Sequence, residues 1–391
     1  MKPIYLDYNA TTPVDPAVLD AMLPWLSTEF GNPSSQHAYG RTAHDAVAKA
    51  RAEVADLIGA HPDEIVFTGG GTEATNHALK GAAFDPDRPA SRREIAYSAV
   101  EHPATVAAAE ALRRFGFGTV VVPVDRHGVI ELDVLNRGLS ESTLAVSFMH
   151  ANNETGTVQP VAAASAAARR AGALVHVDAA QSAGKIPVNV TALGADLLTL
   201  AGHKLYAPKG IGALYVRRGV RLEPLIHGAG QESGRRAGTE NVPYMVGLGA
   251  ACRIAGEKLA ATATRTSSLR DRLWARLAAG LGERVVLNGH PTERLPNTVN
   301  GGFVGLIGAE LLAAVPEIAA STGSACHDGS VSISPVLAAM KVEPGIAGGA
   351  VRLSLGRHTT EAEIDRAADL LVERARQLLS FKDTAPRSAA A

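Results

Sequence analysis

Ile65-Val66-Phe67-Thr68-Gly69-Gly70-Gly71-Thr72-Glu73-Ala74 is the stretch that decides the fold. Three apolar side chains, two of them β-branched, read as a short buried strand, and the three glycines after Thr68 read as a tight turn opening a helix. A strand that runs straight into a glycine-rich helix start is the repeating unit of a parallel sheet. The same turn leaves backbone N–H groups and the positive helix end free to hold an anion, with the Thr72 hydroxyl as a further donor. Gly69, Gly71 and Ala74 also satisfy the dinucleotide pattern G-x-G-x-x-[GA]. That reading needs an acidic residue ending the next strand, whereas Glu94 precedes its strand and Glu101 comes too late.

Outward from this unit the pattern continues. Ala43, Ala46, Val47, Ala50, Val54, Leu57 and Ile58 recur at helical spacing, and Gly59 stops them. Short apolar runs at 94–99, 119–124, 144–149, 174–177, 197–200 and 213–216 read as strands, separated by alanine-rich helical stretches such as 161–171. Strands alternating with helices predict an α/β fold with a mainly parallel sheet covered on both faces. From about Thr264 the pattern changes to one long helix, then apolar segments at 285–288, 297–303 and 351–355, which predict a smaller α+β domain. The expected division is a large domain over 15–262, a small domain from 1–14 and 263–381, and a tail at 382–391 that lacks apolar pattern.

Composition narrows the function. The 391 residues include 38 basic and 39 acidic side chains, a net charge of −1, so no global field draws the chain to nucleic acid or anionic lipid. No apolar run approaches the roughly 20 residues of a membrane helix, and the first residues lack the apolar core of a secretory signal. The two cysteines lie far apart, which argues against a disulfide framework or a structural zinc site and makes a reducing cytoplasm the expected setting. No metal site is expected, and no repeat of solenoid period occurs.

Chemistry gathers at strand ends. Lys204 follows the apolar run at 197–200 and a Gly-His turn, where an amine among apolar walls loses enough of its pKa to act as a Schiff-base nucleophile; the plain alternative is a surface lysine. Asp178 and Gln181 follow 174–177, where a buried carboxylate needs a cationic partner. The pyridinium N–H of pyridoxal phosphate would serve, since a carboxylate there keeps the electron sink protonated. An N-cap for the next helix is the alternative, and His176 with Asp178 would also suit a metal, though no third ligand is spaced to join them. Cys326 lies in a loop of small residues beside His327, a setting that favours the thiolate, whereas Cys252 has the small apolar neighbours of a packed helix.

The segments at 5–13, 30–35, 151–156, 176–182, 202–204, 323–326 and 352–357 together resemble the pyridoxal-phosphate-dependent cysteine desulfurases of the NifS and IscS group. The resemblance runs in order through nearly the whole chain. It implies the fold-type I architecture of class V aminotransferases, acting as a homodimer. It makes Lys204 the cofactor lysine, Asp178 the pyridinium partner and Gln181 a partner of the ring hydroxyl. His102 would stack on the ring and move protons. Gly71, Thr72 and His203 would bind the phosphate, and Thr239 would reach the phosphate in the neighbouring subunit. Asn153 and Arg352 would hold the carboxylate of L-cysteine. Cys326 would take the sulfur as a persulfide, releasing L-alanine, and pass it to a protein acceptor serving iron-sulfur assembly, tRNA thiolation or DNA phosphorothioation. The family's usual serine two residues before His203 is Ala201 here, so one phosphate donor is missing. The alternatives of a selenocysteine lyase, another enzyme of this fold or a non-enzymatic sulfur-relay scaffold stand beside this reading.

Overall fold

The computed structural model describes residues 2–322, 326–327, 330–331 and 333–384, with 326–327, 330–331 and 382–384 described by backbone alone. The strands are β1 (Ile4–Tyr5), β2 (Ile65–Thr68), β3 (Glu94–Ser98), β4 (Gly118–Val122), β5 (Thr143–Met149), β6 (Leu174–Asp178), β7 (Leu197–Ala201) and β8 (Gly212–Val216), followed by β9 (Val285–Leu287), β10 (Thr298–Phe303), β11 (Ile318–Ala319), β12 (Cys326–His327), β13 (Ser330–Val331) and β14 (Ala350–Ser354). The first helices are α1 (Pro16–Ser27), α2 (Ala38–Ile58), α3 (Gly71–Phe84) and α4 (Pro103–Leu112).

Seven strands form one sheet in the order β2-β8-β7-β6-β5-β3-β4. Only β8 runs against its neighbours, being antiparallel to both β2 and β7. The other six therefore point the same way. Their carboxyl ends lie along one edge, and the residues that follow them emerge there: the glycine turn after β2, His102 after β3, Asn153 after β5, Asp178 ending β6, and Lys204 after β7. The strands of this sheet are largely buried and mostly apolar, as the sequence predicts for a sheet covered on both sides, with Ser147, His176 and Thr199 among the buried polar exceptions and the edge strand β4 partly exposed.

Two more helices complete the covering layers, α5 (Leu132–Gly138) and α6 (Val161–Arg170), after which the short α7 (Val190–Leu193) leads to the 40-residue α8 (Val242–Leu281). This long helix begins well before Thr264, where the sequence pattern places its start. The Asn241 side chain accepts the Tyr244 N–H at its N-cap, and the residues just inside are too small and too uniformly apolar to show amphipathic contrast. Gly249 explains part of this choice: a Cβ there would lie 2.6 Å from Ala50 Cα of α2. The first half of α8 buries Met245, Leu248 and Cys252 in the large core, and the second half buries Leu273 and Leu277 in a separate one.

That second core is built on the antiparallel sheet β14-β10-β9. Phe303, Val351 and Leu353 pack there against Leu311 of α9 (Gly308–Ala313) and Ile364 and Leu371 of α12 (Glu361–Thr384), whereas the short α10 (Pro335–Ala339) and α11 (Pro344–Ala347) bury Val336, Leu337 and Ala347 in the large core. The N-terminal arm joins this part through β1, which pairs with β11, and through Leu6. Among the described residues no helix is long and apolar enough to cross a membrane.

Candidate active site

The aligned carboxyl ends frame a cavity of about 410 Å³ lined by Lys204, Asp178, Gln181, His102, Gly71, Thr72, His203, Asn153 and Arg352, with Ala201 in its wall. Residues from 71 to 204 in the chain thus meet at one sheet edge because six strands share a direction, while Asn9 and Ala10 of the N-terminal arm and Arg352 of β14 close the cavity from the other core.

Lys204 lies in the single turn Gly202–Lys204 that ends β7. Its Nζ donates to the carbonyls of Asn9 and Ala10, the latter at 2.7 Å. Desolvation, helped by the Arg352 guanidinium and opposed by Asp178 and Asp7, lowers its pKa from 10.5 to about 8. Asp178 is 9% exposed, and its Oδ1 accepts the Ala180 N–H at 2.9 Å. No helix starts there, the next being α7 with Asn189 as its N-cap, so this carboxylate braces a turn rather than capping a helix while it lines the cavity. Burial raises the Asp178 pKa, while the Ala180 hydrogen bond, His102 and Lys204 pull it down. A cationic ring N–H placed against it would remove that penalty.

His102 is the N-cap of α4; its Nδ1 accepts the Ala104 N–H at 3.1 Å, which puts the neutral ring's proton on Nε2. Desolvation lowers its pKa, against the pull of Asp178. His203 is lowered to about 4, first by desolvation and then by Lys204, so it is neutral near pH 7, and its Nδ1 lies 3.2 Å from Thr11 Oγ1. Gly70 precedes α3 with φ of 153°, a conformation open to glycine alone, and a Cβ on Gly71 would lie 3.2 Å from Ala201 Cβ. The cup at the start of α3 is thus cleared of side chains where an anion would sit. His176 is not part of the cavity: it is fully buried, with Nδ1 2.8 Å from Ser147 Oγ and Nε2 2.9 Å from Thr199 Oγ1. No cluster of three metal-ligating side chains occurs among the described residues.

Three residues of the site escape a reading by strand ends. Asp7 accepts Arg352 Nη2 at 2.7 Å, so the guanidinium is steered from the N-terminal arm while its Nη1 donates to Asn153 O at 3.1 Å. Asn9 is a hub: its amide donates to Asn153 O and Thr298 Oγ1 and accepts from Asn297 and Lys185, and its carbonyl receives Gln181 and Lys204. Lys185 completes the group through Gln181 Oε1 at 2.7 Å. The signal was the polar density of Tyr5-Leu6-Asp7-Tyr8-Asn9, which marks the arm without assigning roles within it.

Among the described side chains, one predicted residue is not brought into the cavity within one chain. Thr239 is exposed and absent from the lining, beside Gly238 with φ of 110°. The Cys326 side chain lies outside the described residues; its backbone is in β12, which pairs with β13 as Cys326 with Val331. Cys252 is fully buried, and burial pushes its thiol pKa far up.

A central sheet with one reversed strand and a lysine-aspartate pair at its edge defines a class of protein that the comparisons identify. The chain belongs to the aminotransferase class-V family, which matches residues 4–367. It is 48% identical over 389 residues to cysteine desulfurase 2 of Trichormus variabilis, covering 98% of this chain and 96% of that one. Among solved structures it is similar to a NifS-like protein, with a TM-score of 0.88 and 38% identity over 97% of this chain and all of the other. It is also similar to SspA in complex with cysteine, with a TM-score of 0.79 and 35% identity over 91% of this chain and 99% of that one.

Proposed function

We propose that this chain is a pyridoxal-phosphate-dependent cysteine desulfurase, converting L-cysteine to L-alanine and receiving the sulfur on Cys326 as a persulfide for delivery to a protein acceptor. The observation that carries the reading is the convergence, in one cavity, of an amine of lowered pKa, a buried carboxylate and a helix start cleared for an anion. These three suit an aldehyde, a pyridinium N–H and a phosphate, the three recognition features of the cofactor. Bound there, pyridoxal phosphate supplies an electron sink for charge developing next to the amino group of the substrate.

The chain's own residues do the rest. Gly71 and Thr72 of α3, with His203, would hold the phosphate, and Asp178 would keep the ring nitrogen protonated. Gln181 would meet the ring hydroxyl, and His102, with its proton on Nε2, would lie against the ring and be available for proton transfer. Arg352, aimed by Asp7, binds the substrate carboxylate with Asn153. Lys204, released from the Asn9 and Ala10 carbonyls, is the amine that accepts and returns the substrate's α-proton. Cys326 thiolate attacks the substrate sulfur, the carbon-sulfur bond breaks, and a proton completes the methyl group of alanine. Atoms balance: one cysteine and one enzyme thiol give one alanine and one enzyme persulfide.

The same reading makes 15–262 the cofactor domain, joins 1–14 with 263–381 as the domain that carries the Cys326 loop, and places the enzyme in the cytoplasm as a homodimer in which Thr239 completes the partner's phosphate cup. The test is release of alanine and sulfide from L-cysteine by the cofactor-loaded protein with a thiol reductant. Cys326→Ser should stop persulfide formation while the protein stays yellow. A persulfide on Cys252, or undiminished sulfide release by Cys326→Ser, would overturn the assignment.

A further inference from the structure

Lys185 has no role in the function proposed above, yet its Nζ lies directly behind the cavity wall, hydrogen-bonded to two residues that line it. It donates to Gln181 Oε1 at 2.7 Å and to Asn9 Oδ1 at 3.2 Å. Gln181 Nε2 donates to the Asn9 carbonyl at 2.9 Å. An amide has two orientations, and here both neighbours choose the same one. An amine meeting Oε1 and a carbonyl meeting Nε2 are each favourable; the flipped amide would set its NH₂ against the Lys185 hydrogens and its oxygen against the Asn9 oxygen. Asn9 is itself locked, since its Nδ2 donates to Asn153 O and Thr298 Oγ1 while Asn297 donates to its Oδ1. Gln181 has two amide hydrogens; one goes to Asn9, and Gln181 lines the cavity.

We propose that Lys185 is a positioning residue that locks the Gln181 amide with an N–H toward the cavity, so that the cofactor oxygen beside it is held as an oxyanion. The inference rests on the function proposed above. A free-turning amide would accept from a neutral hydroxyl as readily as it donates to an anion. A locked N–H cannot accept from the hydroxyl, and it bonds the anion more strongly than the neutral oxygen. With that oxygen held as an anion by Gln181, the Lys204 nitrogen, once joined to the cofactor, would give up its proton at lower pH. Lys204 and Arg352 face Lys185 from the turn after β7 and from β14, and burial together with both of them lowers its pKa. Tyr8, Tyr206 and Arg357 line the small cavity that Lys185 shares with Lys204.

The experiment is a pH titration of the visible absorbance of the cofactor-loaded protein. Lys185→Met, of similar length and without a donor, should raise the midpoint by about half a unit to one unit, the size of one hydrogen bond. Gln181→Ala should raise it comparably, and adding Lys185→Met to Gln181→Ala should shift it no further. Lys185→Arg keeps a donor-only head and should leave the midpoint near that of the wild type. An unchanged midpoint in Lys185→Met would overturn the inference. So would an equal shift by Lys185→Met in the Gln181→Ala background, which would mean that the charge acts directly, or a shift in Lys185→Arg as large as in Lys185→Met. A wild-type protein that takes up no cofactor would overturn the proposed function as well, and that outcome is visible before any variant is made.

Discussion

Burial sets the reactivity of Lys204 more than any single neighbouring charge does. With its pKa lowered to about 8, a useful fraction of the amine is neutral near pH 7, whereas an ordinary lysine at 10.5 is almost wholly protonated. In cofactor-free protein, the rate of capture of pyridoxal phosphate should therefore rise with pH through about 8, followed by the growth of visible absorbance. The sign for stability runs with it: folding depresses this pKa, so the buried ammonium costs stability below about pH 8, and the cost fades as pH rises toward 10.5. Lys204→Ala should abolish alanine release, and retained turnover would remove the central assignment. Ala201 gives a milder test. Its Cβ faces Gly71 inside the cup, so Ala201→Ser places a hydroxyl there and should tighten cofactor binding by about 0.5 to 1.5 kcal/mol in equilibrium dialysis, with little change in rate at saturation. Lys204, Asp178 and Gln181 were legible because each follows an apolar strand. Asn9 and Lys185 were not, because they act on carbonyls and on another side chain, and such partners have no spacing in sequence.

The start of α3 shows how an element does chemistry through what it leaves out. A Cβ at Gly71 would lie 3.2 Å from Ala201 Cβ and 3.5 Å from Thr199 Cγ2, so Gly71→Ala fits by small shifts but enters the anion cup. It should cost roughly tenfold in cofactor affinity, about 1.4 kcal/mol, while the thermal unfolding of cofactor-free protein changes little; a large loss of stability with unaltered affinity would contradict this role. The strand-turn-helix pattern at 65–74 announces this element plainly. The reversal of β8 is not announced, since an apolar run buried on both faces reads alike in either direction. The early start of α8 is hidden for another reason: Gly249 packs against Ala50 of α2, its neighbours Ala250 and Ala251 are buried as well, and small residues buried all round carry no moment.

At the scale of the whole molecule, the N-terminal arm ties the two cores at the cavity. Asp7 pairs with Arg352, and Asp15, at the head of α1, pairs with Arg357 at 2.8 Å while that guanidinium lies over the Tyr206 ring at 4.3 Å. Thr239 stays outside the cavity of its own chain, which fits a contribution across a dimer. Thr239→Ala should therefore weaken cofactor retention and dimer stability together, as read by dialysis and by sedimentation over a dilution series. Loss of retention in a dimer of unchanged stability would confine Thr239 to the phosphate alone. The alternation of strands and helices made the large sheet readable, but a contact between copies leaves no periodicity to read. The burial of Cys252 has one more consequence. Its thiol is fully enclosed in the α2 and α8 packing, so a thiol reagent can reach it only when that packing parts. In a Cys326→Ser background the labelling rate of Cys252 becomes a clock for that opening, so the chain carries its own gauge of how often the long helix lifts from its neighbour, with no probe introduced.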